Sequence, residues 1–135
     1  MKYLLDTNAF VEHLRNGPES KVTLRILSTQ PNSVFLCTMV LAELLYGAIR
    51  SGKANEAANR KAISLLQQSF PSLPFDEKAA QQYAIIRAGL STSGQLFGPN
   101  DMIIASMAMA NDATLVTHNT SEFQRIPGLE LEDWQ

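Results

Sequence analysis

Short apolar runs alternate with stretches of helical periodicity along this chain, and several of the apolar runs end abruptly in polar residues. The first run covers residues 3–5 and stops at Asp6-Thr7-Asn8, after which apolar positions over 9–14 recur at helical spacing. The pattern predicts a buried strand, a polar turn and then a helix.

The same alternation continues to the end of the chain. Further strands are predicted at 34–37, 73–75, 113–116 and 129–131, and further helices at 20–28, 39–50, 55–69, 77–90 and 102–110. Thr38, Asp76 and Asn119 are the predicted helix caps, the last with Glu122 as a capping box, and residues 91–98 are a predicted loop. Strands that alternate with helices predict an α/β fold with a parallel sheet and right-handed crossovers.

Length and composition limit the kind of protein this can be. A chain of 135 residues with 45% hydrophobic residues suits one domain over 1–135, with one sheet covered by helices. The longest apolar stretch, 102–110, is far shorter than the ~20 residues that span a bilayer, and Asp6 interrupts the N-terminal apolar run before it resembles a signal peptide. We therefore expect a cytoplasmic protein with no membrane association. Cys37, the only cysteine, is expected to be a small buried hydrophobe at a strand end.

Charge is distributed unevenly between the two halves. The net charge of −2 argues against a protein that grips nucleic acid by overall basicity. Residues 1–62 nevertheless contain eight Lys or Arg against five acids, whereas residues 63–135 contain three against eight. Most of the basic residues are expected on solvated helix faces, but a polyanion can still be held locally. The basic residues in question are Arg15, Lys21, Arg25, Arg50, Lys53, Arg60 and Lys61.

Three acidic residues are candidates for a site. Asp6 follows the first strand, Glu43 lies within the helix predicted over 39–50, and Asp101 precedes the helix predicted over 102–110. Each has an ordinary alternative, because Asp often caps a helix and an exposed Glu is a good helix former. The helix of Glu43 is largely apolar, however, and an ionised carboxylate there is costly unless a partner or a metal binds it. Gly47, on the same helix, suggests close packing against a neighbouring element.

The predicted topology brings the three acids together. Ligands collect at the carboxyl edge of a parallel sheet, which is where Asp6 and Glu43 are expected, with Asp101 nearby. Two like charges about 4 Å apart repel by roughly 4 kcal/mol at an effective dielectric constant of 20, so such a cluster needs a cation. An all-oxygen ligand set favours Mg²⁺ or Mn²⁺, whereas His13 and His118 are too few and too scattered for zinc. Such ions support phosphodiester hydrolysis by activating water.

Four motifs in order resemble those of the PIN-domain ribonucleases, and above all the VapC toxins of bacterial VapBC toxin–antitoxin systems. The motifs are LLDTN at 4–8, AELLYG at 42–47, GPNDMIIA at 98–105 and LVTHNTSEF at 115–123. The resemblance covers essentially the whole chain, including its ending over 127–134. It implies a three-layer α/β/α sandwich with strand order 3-2-1-4-5, and metal-dependent endoribonuclease activity.

The resemblance also assigns roles by position. Asp6, Glu43 and Asp101 match the family's metal-binding acids, and Thr117 matches its hydroxyl residue beside the site. Many PIN domains have a fourth acid where this chain has Asn119, which leaves open whether one or two ions bind. In the supporting positions, Asn8 is expected to orient Asp6 by a hydrogen bond, and Glu122 to assist through water.

The partners that the resemblance implies are an RNA substrate, most often tRNA in such relatives, and a VapB-type antitoxin. The C-terminal segment of that antitoxin would wrap the toxin and place an Arg or Lys in the acidic pocket, and a toxin homodimer is also implied. Two alternatives remain. A phosphotransfer domain would form an aspartyl-phosphate at Asp6, but Asn8 occupies the position where the dehalogenase-like phosphatases want a second acid. A decayed PIN domain would bind RNA or a partner without cutting, but the three acids are intact.

Overall fold

The strand, polar turn and helix predicted at the start of the chain form as Lys2–Leu5 (β1) and Thr7–Asn16 (α1), separated only by Asp6. The structure is a computed structural model that describes residues 1–135. The other strands are Val34–Cys37 (β2), Ser72–Leu73 (β3), Ala113–Val116 (β4) and Leu131–Glu132 (β5). The other helices are Lys21–Ser28 (α2), Thr38–Arg50 (α3), Glu56–Ser69 (α4), Glu77–Thr92 (α5), Pro99–Ala110 (α6) and Thr120–Phe123 (α7), with a 3₁₀ turn at Gly17–Glu19.

The five strands make one parallel sheet in the order β3-β2-β1-β4-β5, so the predicted α/β class and strand order are confirmed. In its centre, Leu4 pairs with Phe35 on one side and with Leu115 on the other. All four residues of β4 are buried, as expected of a strand covered on both faces by helices. The carboxyl ends of β1, β2 and β4 therefore lie side by side at one edge.

The helix α6 lies inside the fold. Six of its twelve residues are buried, including Ile104, Ala105 and Met107 with no exposed area. Its apolar composition explains this, because a helix that is apolar on all sides has to be covered on all sides. The burial fixes the first turn of α6, and with it Asp101, against the edge of the sheet.

Some element limits differ from the sequence prediction. α6 begins at Pro99 and not at residue 102, since proline fits the first helical position, where no amide partner is needed. β3 ends at Leu73, before Pro74, which has no N–H to give to a ladder. β5 begins at Leu131 because Leu129 still belongs to the preceding turn, where its N–H is donated to the Ile126 carbonyl at 3.4 Å.

One predicted cap and one predicted contact are wrong, and a second cap is confirmed in its position only. Thr38 is the first residue of α3, and Cys37 occupies the N-cap position. Asn119 occupies the N-cap position of α7, but its side chain makes no cap. Nothing lies within 4 Å of where a Cβ on Gly47 would be, so that glycine faces open space and not a packed neighbour. By contrast, Asp76 caps α5 as predicted, accepting from the Ala79 N–H at 3.0 Å.

Cys37 is fully buried, as expected, and burial raises the pKa of its thiol to about 11. At the C-terminus, Trp134 is 5% exposed and packs against Tyr3, with 5.1 Å between ring centroids and the rings tilted by 60°. No helix in the structure has both the length and the apolar character needed to cross a membrane.

Candidate active site

Asp6 connects the end of β1 to the start of α1 and is 5% exposed. Its Oδ1 accepts the N–H of Thr7 at 2.8 Å, and its Oδ2 accepts the hydroxyl of Thr117 at 2.8 Å. The helix-cap alternative and the site alternative are thus compatible, because Asp6 caps α1 from the carboxyl edge of the sheet. Both carboxylate oxygens keep lone pairs for a further ligand.

Thr117 lies directly after β4 and has no exposed area. Its hydroxyl donates to Asp6 and accepts the N–H of Asn119 at 3.0 Å. Because a hydroxyl has a single proton, the accepted bond helps to direct that proton toward the carboxylate. Thr117 therefore holds Asp6 in place from beneath, in the position that its motif predicts.

Glu43 lies in the second turn of α3 and is partly exposed. Its Oε1 accepts a 2.6 Å hydrogen bond from the hydroxyl of Thr7. The sequence pattern gives Thr7 no site role of its own, although it stands beside Asp6 in the first motif. The bond joins α1 to α3. It also gives the Glu43 carboxylate a hydrogen-bond partner, which lowers the cost of placing a charge on this apolar helix.

Asp101 lies in the first turn of α6, is partly exposed, and its carboxylate accepts no hydrogen bond from a protein group. Burial raises the pKa of its carboxyl to about 6, and the negative charges of Asp6, Glu43 and Glu122 act in the same direction. The pKa of Asp6 is also raised, mainly by burial, with a smaller contribution from Glu43 that opposes the two hydrogen bonds. Both shifts mean that ionising these carboxyls is unfavourable, chiefly because they are buried, and a bound cation would favour the ionised form.

The three predicted acids line one open cleft of about 420 Å³. Asn8 and Asn119 line it too, together with Thr7, Val11, Glu12 and Arg15. Thr117 and Glu122 do not line the cleft, but each bonds to a residue that does, Thr117 to Asp6 and Glu122 to Asn119.

Two supporting residues act differently from the prediction. Asn8 makes no hydrogen bond to Asp6, since its Oδ1 accepts the N–H of His118 at 3.4 Å and so ties α1 to the loop after β4. In place of a capping box, Nδ2 of Asn119 donates directly to Oε2 of Glu122 at 3.0 Å. That bond leaves Oδ1 of Asn119 without a protein donor at the cleft.

The cleft suits a hard divalent cation. Its side-chain donors are oxygens, whereas both histidines are engaged elsewhere, His13 with Thr23 at 2.7 Å and His118 with Asp133 at 3.0 Å. Nowhere in the chain do three or more His, Cys, Asp or Glu side chains converge closely enough to hold one ion together. Mg²⁺ is commonly bound by one or two carboxylates, with water and phosphate oxygens as its other ligands, so an open set of acids fits it.

Of the basic residues in the first half of the chain, Arg15 alone lines the acidic cleft. Arg25 pairs with Glu132 at 2.9 Å and also lies over the ring of Trp134, while Arg60 pairs with Glu56 at 3.0 Å. These pairs fit the expectation that most of the basic residues lie on solvated helix faces.

Known proteins are similar to this chain in sequence and in fold over its whole length. The PIN domain family model matches residues 3–129. Ribonuclease VapC2 of Rickettsia felis is 37% identical over 134 residues, which cover 99% of this chain and 98% of the relative. The tRNA(fMet)-specific endonuclease VapC of Salmonella typhimurium is 36% identical over 136 residues, with the same shares covered.

A chain of the crystal structure of DNA-bound VapBC from Salmonella typhimurium superposes with a TM-score of 0.91 at 32% identity, covering 100% of this chain and 99% of that one. The family model, the sequence relatives and the solved structure all point to the family that the four motifs indicate. This chain therefore belongs to the VapC family of PIN-domain ribonucleases.

Proposed function

We propose that this chain is a Mg²⁺- or Mn²⁺-dependent endoribonuclease and the toxin component of a type II toxin–antitoxin system. The observation that supports this best is that Asp6, Glu43 and Asp101 line one cleft at the carboxyl edge of the sheet. The whole of residues 1–135 would form a single PIN domain acting in the cytoplasm.

In this proposal Asp6 and Asp101 would bind the metal directly, and Glu43 would contact it through a water ligand. When bound, the metal supplies an activated water and stabilises the leaving oxygen of the phosphodiester. The surrounding residues hold the acids in place. Thr117 and the Thr7 N–H fix the two oxygens of Asp6, and the Thr7 hydroxyl fixes Glu43. Asp101 keeps both oxygens free of protein donors, so it can bind the ion without breaking an internal bond.

We expect one tightly held ion. Asn119 is neutral where many PIN domains have a fourth acid, so the position for a second metal ion has less negative charge. Its free Oδ1 can still contribute an oxygen, and the bond from Nδ2 to Glu122 keeps that oxygen turned away from Glu122. Glu122 thereby acts as a positioning residue for Asn119.

The substrate we propose is tRNA. The Salmonella typhimurium relative at 36% identity is named a tRNA(fMet)-specific endonuclease. The acidic cleft would hold the scissile phosphate through the metal, and nearby basic side chains would hold the adjoining backbone.

A VapB-type antitoxin is the proposed partner. The Salmonella typhimurium chain that superposes on this one comes from a VapBC structure. The C-terminal segment of the antitoxin would wrap the toxin and place an Arg or Lys in the cleft, where its charge would stabilise the ionised carboxylates of Asp6, Glu43 and Asp101. We also propose that the toxin forms a homodimer.

The second candidate is a decayed PIN domain that binds RNA or a partner without cutting it. The absence of three converging ligand side chains favours this alternative. Against it stand the hydrogen bonds that hold Asp6 and Glu43, because a decayed site gains nothing by keeping two oriented acids in a cleft.

Cleavage of a tRNA pool by the purified chain tests the proposal. Wild type, Asp6→Asn and Asp112→Asn are compared with Mg²⁺, with Mn²⁺ and with a chelator. Asp112 is an exposed acid just before β4, and its φ of 51° is one that Asn adopts readily. Asp112→Asn therefore removes one negative charge outside the cleft and serves as the control for Asp6→Asn. We expect Asp6→Asn to lose about a hundredfold or more, and Asp112→Asn to cleave like wild type.

Equal cleavage by all three proteins, or cleavage that persists in the chelator, would refute the metal-dependent mechanism. Calorimetric titration of Mn²⁺ separates the remaining candidates. No binding at all would favour the decayed module, whereas binding together with metal-dependent cleavage would support the nuclease.

A further inference from the structure

A second groove continues from the acidic cleft between α1, α3 and α4. It has a volume of about 320 Å³ and shares four lining residues with the cleft. The shared residues are Thr7, Val11, Arg15 and Glu43. A polymer chain whose phosphate is held in the cleft would therefore lead directly into this groove.

Arg15 is the only cationic residue that lines either space. It is exposed and forms no ion pair within 4 Å, although Glu12 lines the same cleft. Glu12 is engaged with Asn16, whose Nδ2 donates to its Oε1 at 2.7 Å. The guanidinium is thus left without a protein partner beside a cluster of acids.

The position of Arg15 suits a phosphate next to the scissile one. It lies two helical turns after Thr7 on the same face of α1, a rise of about 12 Å, and long side chains on a helix lean toward its N-terminus. A metal ion neutralises only the phosphate that it binds, so a neighbouring phosphate would be repelled by the acids unless a cation faces it. Arginine binds phosphate with two parallel hydrogen bonds, which makes it the better choice for this task.

The groove itself suits a nucleobase. Val11, Leu44 and Ile63 give it apolar walls, and Asn59 provides a polar group with a fixed direction. Nδ2 of Asn59 donates to Oγ of Ser51 at 3.0 Å, which leaves its Oδ1 without a protein donor. A flat ring that presents an N–H to that oxygen would match both the walls and the polar group.

We propose that Arg15 and this groove form the binding site for the nucleotide next to the scissile phosphate, with the phosphate on the guanidinium and the base in the groove. The inference rests on the proposed ribonuclease function and extends it to substrate selection. The unpaired cation and the continuity with the acidic cleft favour a nucleotide as the occupant of the free toxin. An antitoxin segment that places its Arg or Lys in the cleft would compete for the same groove.

Gly47 offers a way to block the groove without disturbing the fold. It is a helical residue that lines the groove, and a Cβ there meets nothing within 4 Å, so Gly47→Leu fills the space with a good helix former. Gly89 is its matched control. It is also helical, an added Cβ there also has nothing within 4 Å, and it lines a different groove between α5 and α6.

The charge test uses Arg15→Gln and Arg15→Lys, with Arg87→Gln as the control. Arg87 is an exposed arginine of α5 whose side chain donates to the hydroxyl of Tyr83 and lines neither space. Lysine keeps the charge but loses the paired hydrogen bonds, so a partial effect of Arg15→Lys distinguishes bidentate phosphate binding from charge alone.

Two readouts are measured on the full chain. The first is equilibrium binding, in a chelator, of a short single-stranded RNA pool of randomised sequence and of an inorganic polyphosphate. The second is kcat and KM for cleavage of tRNA with Mn²⁺. Binding in the chelator does not require the metal, so it reports on this site even if the proposed cleavage fails.

We expect Gly47→Leu to weaken RNA binding about tenfold and leave polyphosphate binding unchanged, as for the loss of one base contact. Arg15→Gln should weaken both ligands, Arg15→Lys should weaken them less, and each effect should appear mainly in KM. Gly89→Leu and Arg87→Gln should match wild type. Unchanged RNA binding in Gly47→Leu would overturn the base site and assign the groove to another occupant, and unchanged binding in Arg15→Gln would overturn the phosphate site.

Discussion

The hydroxyl of Thr7 donates a 2.6 Å hydrogen bond to Oε1 of Glu43, while the backbone N–H of the same Thr7 donates to Oδ1 of Asp6 at 2.8 Å. One residue thus orients two of the three acids, which come from different elements of the fold. Their relative position depends on a threonine to which the sequence pattern assigns no role.

We predict that Thr7→Val reduces metal affinity about tenfold to a hundredfold, because it removes the hydroxyl that orients Glu43 and leaves the backbone bond to Asp6 in place. Mn²⁺ titration by calorimetry measures the change. Thr7→Ser keeps the hydroxyl and should restore most of the affinity. Equal affinities for Thr7→Val and wild type would mean that Glu43 needs no fixed orientation.

A second prediction concerns Thr117, whose hydroxyl is the buried partner of Asp6. Thr117→Val keeps the shape of the side chain but removes that donor and also the acceptor of the Asn119 N–H. We expect a loss of about 2 kcal/mol in the free energy of unfolding, measured by urea denaturation, because a buried carboxylate loses one of its two hydrogen bonds. The pKa of Asp6 should rise further.

Thr114 is the control for this measurement. It is 8% exposed on the same strand, and its hydroxyl makes no hydrogen bond to another side chain. Thr114→Val should therefore change the free energy of unfolding far less. Similar losses for both variants would show that strand packing, and not the bond to Asp6, sets the cost.

The third prediction concerns pH. The folded chain raises the pKa of Asp101 from 3.8 to about 6, so folding favours the protonated carboxyl. The favourable contribution of this residue is fully present below its unfolded pKa and is lost as the pH rises through about 6. In a chelator, Asp101→Asn should therefore be more stable than wild type above pH ~7, and the difference should vanish below pH ~4.

We expect that difference to be about 1 kcal/mol, reduced from the full value of the shift because Asp101 is partly exposed to solvent. Urea denaturation at several pH values measures it. Excess Mg²⁺ should reverse the order at neutral pH, since the ion stabilises only the protein that binds it. A variant that is less stable than wild type at neutral pH in the chelator would contradict the raised pKa of Asp101.

The sequence predicts the sheet and the common location of the three acids, for a definite physical reason. Apolar runs such as 34–37 are stable only when they are buried, so they indicate the strands of the sheet. The order of those strands is what the family resemblance implies. The position of Asp6 follows from the end of β1, and the backbone position of a strand end does not depend on the rotamer of one side chain. The same logic places Glu43 and Asp101, because each lies within a turn or two of an element end.

Side-chain partners are predicted less well, because they depend on loop geometry that the pattern does not contain. The predicted bond from Asn8 to Asp6 does not form, because the loop after β4 brings the His118 N–H to Asn8 instead. Asn119 has the spacing of a capping residue, yet its side chain bonds to the carboxylate of Glu122. Gly47 shows the same limit, since a glycine in a helix permits close packing without requiring it.

The last prediction uses Cys37, which is the only cysteine, fully buried at the end of β2. Burial raises the pKa of its thiol to about 11, with small further contributions from the charges of Asp6 and Glu43. Thiolate is the reactive form, so in the folded protein the thiol should react with a thiol reagent more than about a hundredfold slower near neutral pH than after unfolding.

Because reaction then requires opening of the fold, its rate reports on anything that binds the folded state. Mg²⁺ or Mn²⁺ should slow the modification of wild type by the same factor by which metal binding raises the ratio of folded to unfolded protein. The modification rate of Asp6→Asn should not change. Mass spectrometry of the modified chain gives both rates without any RNA. Equal slowing of the two proteins would place the metal elsewhere than at Asp6, and fast reaction of the native chain would contradict the burial of Cys37.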